Sequence, residues 1–234
     1  MADSRFTLRV LSTLGLRGVM TEITPVLTRR GLDFTASYGA SNILMPRIAA
    51  GEAADVAILT DAAIEDLTRR GVVIDGSRRD LARSAIGIAV RAGAARPNIR
   101  TVDAFKETIL AARSIAFSRS GASGLHFAKL IEQLGIAAEV MRKARVFDGV
   151  VGELPAKGDV EMAVQQVSEL KLVDGIDILG ALPDELQKIT VFSAGVFART
   201  ARPAAAGLLI AALASPEAMG AMRRQGLEPV GRVG

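Results

Sequence analysis

Short apolar runs alternate with longer amphipathic ones along the whole chain. Phe6–Leu11 reads as a strand and Val19–Arg29 as a helix stopped by Gly31. Pro25 either kinks that helix or sits in its first turn. Asp33–Tyr38 alternates apolar and polar positions as a strand does, and Ser41–Ala50 has helical spacing up to Gly51. Val56–Leu59 is a short apolar strand, and Asp61–Arg70 is a helix ended by Gly71. This βαβαβα order predicts a parallel sheet with helices on both faces.

The alternation continues through the second half. Ser84–Arg91 reads as a strand, followed by a Gly/Ala/Pro loop over Ala92–Asn98 and a helix over Val102–Ala112. Ser114–Phe117 is a strand, and the helices Ser123–Leu134 and Ala137–Lys143 are broken at Gly135. Ala144–Phe147 is a strand, and Val150–Lys157 is a short helix stopped by Gly158. Met162–Gln165, Ile176–Leu179 and Ile189–Phe197 read as strands, and Pro203–Leu213 and Pro216–Arg224 as helices. A length of 234 residues allows one large or two small domains. No low-complexity linker separates two halves, so two lobes imply crossings along continuous strands. The longest runs, Ser84–Arg91 and Ile189–Phe197, are the natural crossings. The expected division is therefore 1–83 plus 195–234 for one lobe and 84–194 for the other, with a ligand cleft between them.

Composition narrows the chemistry. Half of the residues are hydrophobic but only 4% are aromatic, with no Trp and one Tyr. The core must be built from Ala, Val, Leu and Ile, which suits an α/β protein. The shortage of stacking surface argues against a carbohydrate cleft and against nucleic acid as a partner. With no cysteine and one histidine, a thiolate or multi-histidine metal site is excluded, and no cofactor or metal is expected. The net charge of +4 comes partly from scattered pairs such as Arg29-Arg30 and Arg69-Arg70 at helix ends, where the dipole favours cations. A mild positive field also helps to recruit an anion. The Pro203–Ala214 run is too short to cross a membrane, so no stable membrane insertion is expected. Met1–Arg5 runs straight into a strand without a signal-peptide pattern. The expected location is the periplasm if a signal peptide has been removed, and the cytoplasm otherwise.

Two loops carry the candidate chemistry. Tyr38-Gly39-Ala40-Ser41-Asn42 and Ser118-Arg119-Ser120-Gly121-Ala122-Ser123-Gly124 each follow a strand and open a helix. Such a handover leaves backbone N–H groups and a hydroxyl facing one point, which is an anion site. Ser41 and Ser123 can equally be plain N-caps. Gln165 and Gln166 end a strand and alternate in facing, so they cannot both point one way. Arg17, Arg47 and Arg119 lie near these loops and are either solvated or turned inward to pair with a carboxylate. His126, in the first turn of the helix opened by Ser123-Gly124, is either a surface imidazole or a neutral proton shuttle.

The order of these motifs resembles the type II periplasmic binding protein family, in its molybdate-binding-protein-like branch. The resemblance rests on Tyr38–Asn42, Ile48–Val56, Leu81–Val90, Ser120–Gly124, Gly158–Glu169, Gly180–Pro183 and the Ser215–Ala218 helix start. It implies a two-lobe α/β fold, each lobe a mostly parallel sheet flanked by helices, joined by two strand crossovers and closing on a small anion. Carried over residue by residue, Ser41 matches the hydroxyl of the first lobe, and Ser123 and Gly124 match amide donors of the second. The first serine of the family falls near Gly15, with Ser12 and Thr13 just before it. Where the family has a tyrosine, this chain reads Gln165-Gln166. Those amides suit a carboxylate with flanking hydroxyl or acid groups better than a tetrahedral metal oxyanion.

The resulting ligand-binding set is Ser12, Thr13, Gly15, Arg17, Ser41, Asn42, Arg119, Ser120, Ser123, Gly124, Gln165 and Gln166. The function implied is binding of a small anion, an organic carboxylate ahead of molybdate, with an ABC-transporter permease as a possible partner. The branch also includes aconitate-isomerase-like proteins. The alternative is therefore an isomerase of a small polycarboxylate, with His126 or Glu169 as the base.

Overall fold

The computed structural model describes residues 7–231. In chain order it contains β1 (Thr7–Ser12), a 3-10 turn (Leu14–Leu16), α1 (Arg17–Arg29), β2 (Asp33–Tyr38), α2 (Ser41–Ala49), β3 (Val56–Thr60) and α3 (Asp61–Arg69). There follow β4 (Arg79–Ser84), β5 (Ile86–Arg91), α4 (Val102–Ala111), β6 (Ile115–Ser118), α5 (Ala122–Gln133), α6 (Ala137–Lys143) and β7 (Ala144–Phe147). The chain continues through α7 (Glu153–Lys157), β8 (Met162–Gln166), α8 (Val167–Leu170), β9 (Ile176–Ala181) and a 3-10 turn (Asp184–Leu186). It closes with β10 (Thr190–Val196), α9 (Pro203–Leu213), α10 (Pro216–Arg224) and β11 (Leu227–Pro229).

These elements form two compact units. One holds the chain up to Arg83 and again from Thr190 onward, and the other is Ser84–Ile189. The first unit contains the sheet β11-β4-β10-β3-β1-β2. Within it β1 pairs parallel with β2 and β3, and β10 runs antiparallel to β3. Central strands of such a sheet are covered on both faces, and β3 accordingly reads as continuous apolar sequence with Val56–Leu59 all buried. Alternation sends Leu8, Val10 and Ile58 into one core with Val19, Met20 and Leu209, and Leu11 and Leu59 into another with Leu44 and Ile64.

The second unit contains the sheet β7-β6-β8-β5-β9, in which β6 pairs parallel with β7 and β8, and β5 runs antiparallel to β8 and β9. One face is packed with large side chains, among them Ile86, Ile88, Phe105 and Phe127. The other face is lined by small ones, Ala89, Ala116 and Ala163, which let Val151 and Leu170 close over it. The rings of Phe117 and Phe127 meet edge to face with centroids 5.1 Å apart, fixing α5 on β6.

The continuous strand expected over Ser84–Arg91 is corrected by the structure. Its residues belong to two strands in two different sheets, β4 ending at Ser84 and β5 starting at Ile86. An unbroken apolar run cannot show a change of sheet, because both strands bury the same kind of residue. The second crossing falls before Thr190, so all of β10 lies in the first unit, whereas a boundary at 195 would have divided it. Short α8 and β11 carry too few residues to show a period. Among the described residues no single helix is long and apolar enough to cross a membrane. The apolar α9 instead buries Ala206, Leu209, Ile210 and Leu213 in the first unit.

A buried acid ties the first unit's sheet to the loop after β10. The Asp55 carboxylate accepts the Arg9 backbone N–H at 2.7 Å and the Thr200 hydroxyl, and its carbonyl accepts from Phe197 N–H at 3.0 Å. Asp55→Ala strands the Arg9 N–H and the Thr200 hydroxyl while keeping the backbone bond from Phe197, so thermal unfolding is expected to show a loss of about 1–3 kcal/mol.

Candidate functional site

In the first unit, the carboxyl ends of parallel β1, β2 and β3 each hand over to a helix. Ligands of open α/β sheets bind outside such strand ends. At the end of β1, the Ser12 hydroxyl donates to the Thr13 carbonyl at 3.1 Å, and Thr13 Oγ1 accepts the Gly15 N–H at 3.3 Å. Ser12, Thr13 and Gly15 are buried. Arg17, which opens α1, lies 5.9 Å over the Tyr38 ring at the end of β2. Burial raises the Tyr38 phenol above its ordinary value, and the Arg17 charge acts in the opposite direction.

Ser41 is the first residue of α2, and its Oγ accepts the Thr60 N–H at 3.0 Å from the end of β3. That bond uses a lone pair, so the Ser41 O–H remains a donor. The first intrahelical bonds of α2 reach Ala40 C=O from Ile43 and Leu44, leaving the Ser41 and Asn42 N–H groups ahead of the hydrogen-bonded turn. The Asn42 side chain is exposed. The inward reading of Arg47 is corrected. Its guanidinium forks onto Glu52, with both N–O distances at 2.7 Å, and touches Ser37 Oγ.

In the second unit the equivalent handover runs from β6 into α5. Gly121 N–H is taken by Ser118 Oγ at 2.8 Å, and the first helical bond is Leu125 N–H to Gly121 C=O at 3.0 Å. The N–H groups of Ala122, Ser123 and Gly124 therefore precede the ladder at the positive end of a 12-residue helix. Ser123 is 1% exposed, and its hydroxyl oxygen has no hydrogen-bond partner in the ligand-free chain. A buried hydroxyl without a partner is costly, so its persistence calls for an explanation. Gly124 lets α5 reach the strand end: a Cβ there would lie 1.7 Å from the Ser118 carbonyl oxygen.

The rest of this loop is engaged locally. Ser120 donates its N–H and its hydroxyl to Asp148 Oδ1, at 3.1 and 2.5 Å. The exposed Arg119 donates to the Val146 carbonyl at 3.1 Å. Gln165 and Gln166 are both buried at the end of β8. The Gln165 oxygen accepts Val151 N–H at 2.8 Å and its amide nitrogen donates to Gly149 C=O at 3.0 Å. The Gln165 amide thus binds a backbone loop, a role that strand alternation could not have separated from ligand contact. His126 Nε2 sits 2.8 Å from the Leu186 carbonyl. A carbonyl only accepts, so Nε2 carries the hydrogen, and a neutral ring keeps its lone pair on Nδ1.

Glu169 is buried in α8. Loss of solvent pushes its carboxyl up to about 7, against the stabilising hydrogen bond from Gln165. Neither Asp148 nor the Gly149–Val151 turn stands out in the chain, because their importance comes only from hydrogen bonds with distant residues. A groove of about 250 Å³ adjoins the β6–α5 loop, lined by Ser118, Arg119 and Gly124 together with Phe117, Leu125, Ile131, Met141 and Val146. Most of its wall is apolar, with Arg119 and Glu132 as the charged residues on it.

The fold and these helix-start loops define a class: two-unit α/β proteins that bind small solutes. The chain belongs to the bacterial extracellular solute-binding protein family, whose model matches residues 8–228. It is 39% identical over 232 residues to an aconitate isomerase of Pseudomonas, covering 96% of this chain and 88% of that protein. Among solved structures it is similar to the periplasmic molybdate-binding protein of Azotobacter vinelandii, with a TM-score of 0.79 and 18% identity over 94% of this chain and 98% of that one. It is also similar to a sulfate-binding protein of Mycobacterium tuberculosis, with a TM-score of 0.71 and 17% identity over 96% and 87% of the two chains.

Gly124→Ala is expected to cost roughly 3 kcal/mol or more, read by chemical denaturation, because the clash is with backbone and cannot relax through a rotamer. Glu169→Gln is expected to stabilise the chain at high pH. The folded value of Glu169, about 7, lies above its ordinary 4.5, so the folded chain holds the proton more tightly. Its contribution is fully present below pH 4.5 and is lost as pH rises through 7. The melting temperature of Glu169→Gln should match the parent near pH 4.5 and exceed it at pH 8, by on the order of 3 kcal/mol in stability.

Proposed function

We propose that the protein binds a small organic polycarboxylate. The observation that carries this reading is the buried, partnerless Ser123 hydroxyl at the start of α5, beside three helix-start N–H groups. An anion seated there satisfies every one of these donors, and the helix dipole favours its charge. In the first unit the Ser41 O–H and the leading N–H groups of α2 are donors of the same kind. The organic acid is preferred over a metal oxyanion because the relative at 39% identity is an aconitate isomerase, whereas the oxyanion binders are alike in fold alone. As a binding protein of this family it would hand its ligand to an ABC-transporter permease at the outer face of the inner membrane.

A second reading, that the bound acid is isomerised, is favoured by the same relative and by the tautomer of His126. Ser123 and His126 are three residues apart on α5 and so share a face. With Nε2–H held by Leu186, Nδ1 can accept a proton from a methylene next to the carbon–carbon double bond of an allylic polycarboxylate. The electron pair of the broken C–H bond delocalises toward a carboxylate stabilised by the helix-start donors. Returning the proton after rotation gives the geometric isomer with no net change in atoms or electrons.

A thermal-shift panel of molybdate, sulfate, cis-aconitate and trans-aconitate tests the binding reading. A tricarboxylate at about 100 times its dissociation constant should add about 2.7 kcal/mol of stability. Stabilisation by molybdate or sulfate alone would overturn the organic-acid assignment. Ser123→Ala should weaken trans-aconitate binding by roughly 1–3 kcal/mol while leaving the ligand-free chain as stable as before or more so, since it removes an unsatisfied hydroxyl. For the isomerase reading, conversion of cis- to trans-aconitate followed by NMR should vanish in His126→Ala with tricarboxylate affinity retained; undiminished conversion excludes His126 as the base.

A further inference from the structure

We infer that Arg17, held over Tyr38, grips one carboxylate of the ligand and makes the first unit select acids that carry several negative charges. The inference rests on the reading that the ligand is an organic polycarboxylate, and it adds the residue that recognises the charge.

The topology opens a crevice over the end of β1. This strand lies between β3 and β2 and runs parallel to both. The helix that follows it, α1, buries Val19, Met20 and Ile23 on one face of the sheet, and α2 buries Leu44 and Ile48 on the other. Helices that leave on opposite faces part above the central strand, and ligands of such sheets bind there. Backbone bonds hold the three strand ends together. Gly39 N–H donates to Ser12 C=O at 3.0 Å, and Thr13 N–H donates to Ile58 C=O at 2.7 Å. Ser12 and Tyr38 are register partners, and Tyr38 shares with Phe34 and Ala36 the face that packs on the α1 core. Strand alternation thus puts the phenol ring under the start of α1, where the Arg17 guanidinium lies 5.9 Å from its centroid.

Three features of Arg17 point to an anion. Its side chain is exposed, and among the described residues its guanidinium makes no hydrogen bond or ion pair. Other arginines of the same unit are taken, Arg47 by Glu52, Arg78 by Asp80 and Arg224 by Glu22. A cation at a helix start also opposes the dipole, and the first turn of α1 has no acid to offset it. A placement that opposes the dipole without gaining an ion pair is explained by an anion from outside the chain. Finally, attraction to the ring uses the positive charge and none of the N–H donors. The planar fork that holds a carboxylate through two parallel bonds stays available, and the ring limits the wandering of a long side chain before ligand arrives. The neutral donors at Ser41 and the start of α2 serve any oxygen acceptor, whereas a fixed charge favours the acid with the most ionised groups.

Isothermal titration calorimetry of the whole chain with trans-aconitate tests this, beside three dicarboxylates that each lack a different one of its carboxylates: itaconate, trans-glutaconate and mesaconate. The parent is expected to bind trans-aconitate most tightly. Arg17→Gln should weaken trans-aconitate by at least about tenfold, and Arg17→Lys should recover only part, because it restores a point charge without the fork. One dicarboxylate, the one without the carboxylate that Arg17 holds, should bind parent and Arg17→Gln alike. The ligand-free melting temperature of Arg17→Gln should equal or exceed that of the parent, which separates lost pairing from lost folding. Unchanged trans-aconitate affinity in Arg17→Gln would overturn the inference alone. Equal losses for all three dicarboxylates would also overturn it, since Arg17 would then act by charge at a distance. A parent that binds none of these acids overturns the polycarboxylate reading and this inference with it.

Discussion

The approach of α5 to the end of β6 is the contact on which the second unit's chemistry depends. Gly124 lies so close to the Ser118 carbonyl oxygen that any side chain would collide with backbone. That closeness buries Ser123 and lets Ser118 Oγ take the Gly121 N–H. It leaves the next three N–H groups and one hydroxyl as the donors at the helix start. The Phe117–Phe127 pair maintains the approach from the core side.

The two units use one device at different states of readiness. Ser41 already accepts the Thr60 N–H, which fixes its rotamer before any ligand arrives. Ser123 carries the opposite arrangement, a buried oxygen with nothing bound to it. The first hydroxyl is held by a strand end, and the second leaves a buried hydrogen bond unmade. Cationic side chains contribute less than their number implies. Arg47 is paired with Glu52, and Arg119 is held on the Val146 carbonyl.

Buried polarity behind the loop has a cost that the fold absorbs. Glu169 is buried in α8, and the loss of solvent pushes its carboxyl up to about 7. A hydrophobic residue of similar size would serve packing better. Its presence links the second unit's stability to pH near neutrality.

Much of the fold was legible in the sequence because strands and helices announce themselves by period. The paired Ser/Gly handovers were legible too, since glycine and hydroxyl residues between a strand and a helix have a mechanical reason to be there. The family followed from the order of those motifs. Other features required the tertiary structure. The switch of sheet between Ser84 and Ile86 is invisible in an apolar run, because it depends on which neighbours each strand finds. Whether Gln165 faces a ligand or a loop, whether Arg47 is free or paired, and why Asp148 matters were likewise decided by partners far away in the chain. Local sequence sets backbone conformation and the supply of donors. Burial and long-range pairing decide which donors remain for a ligand.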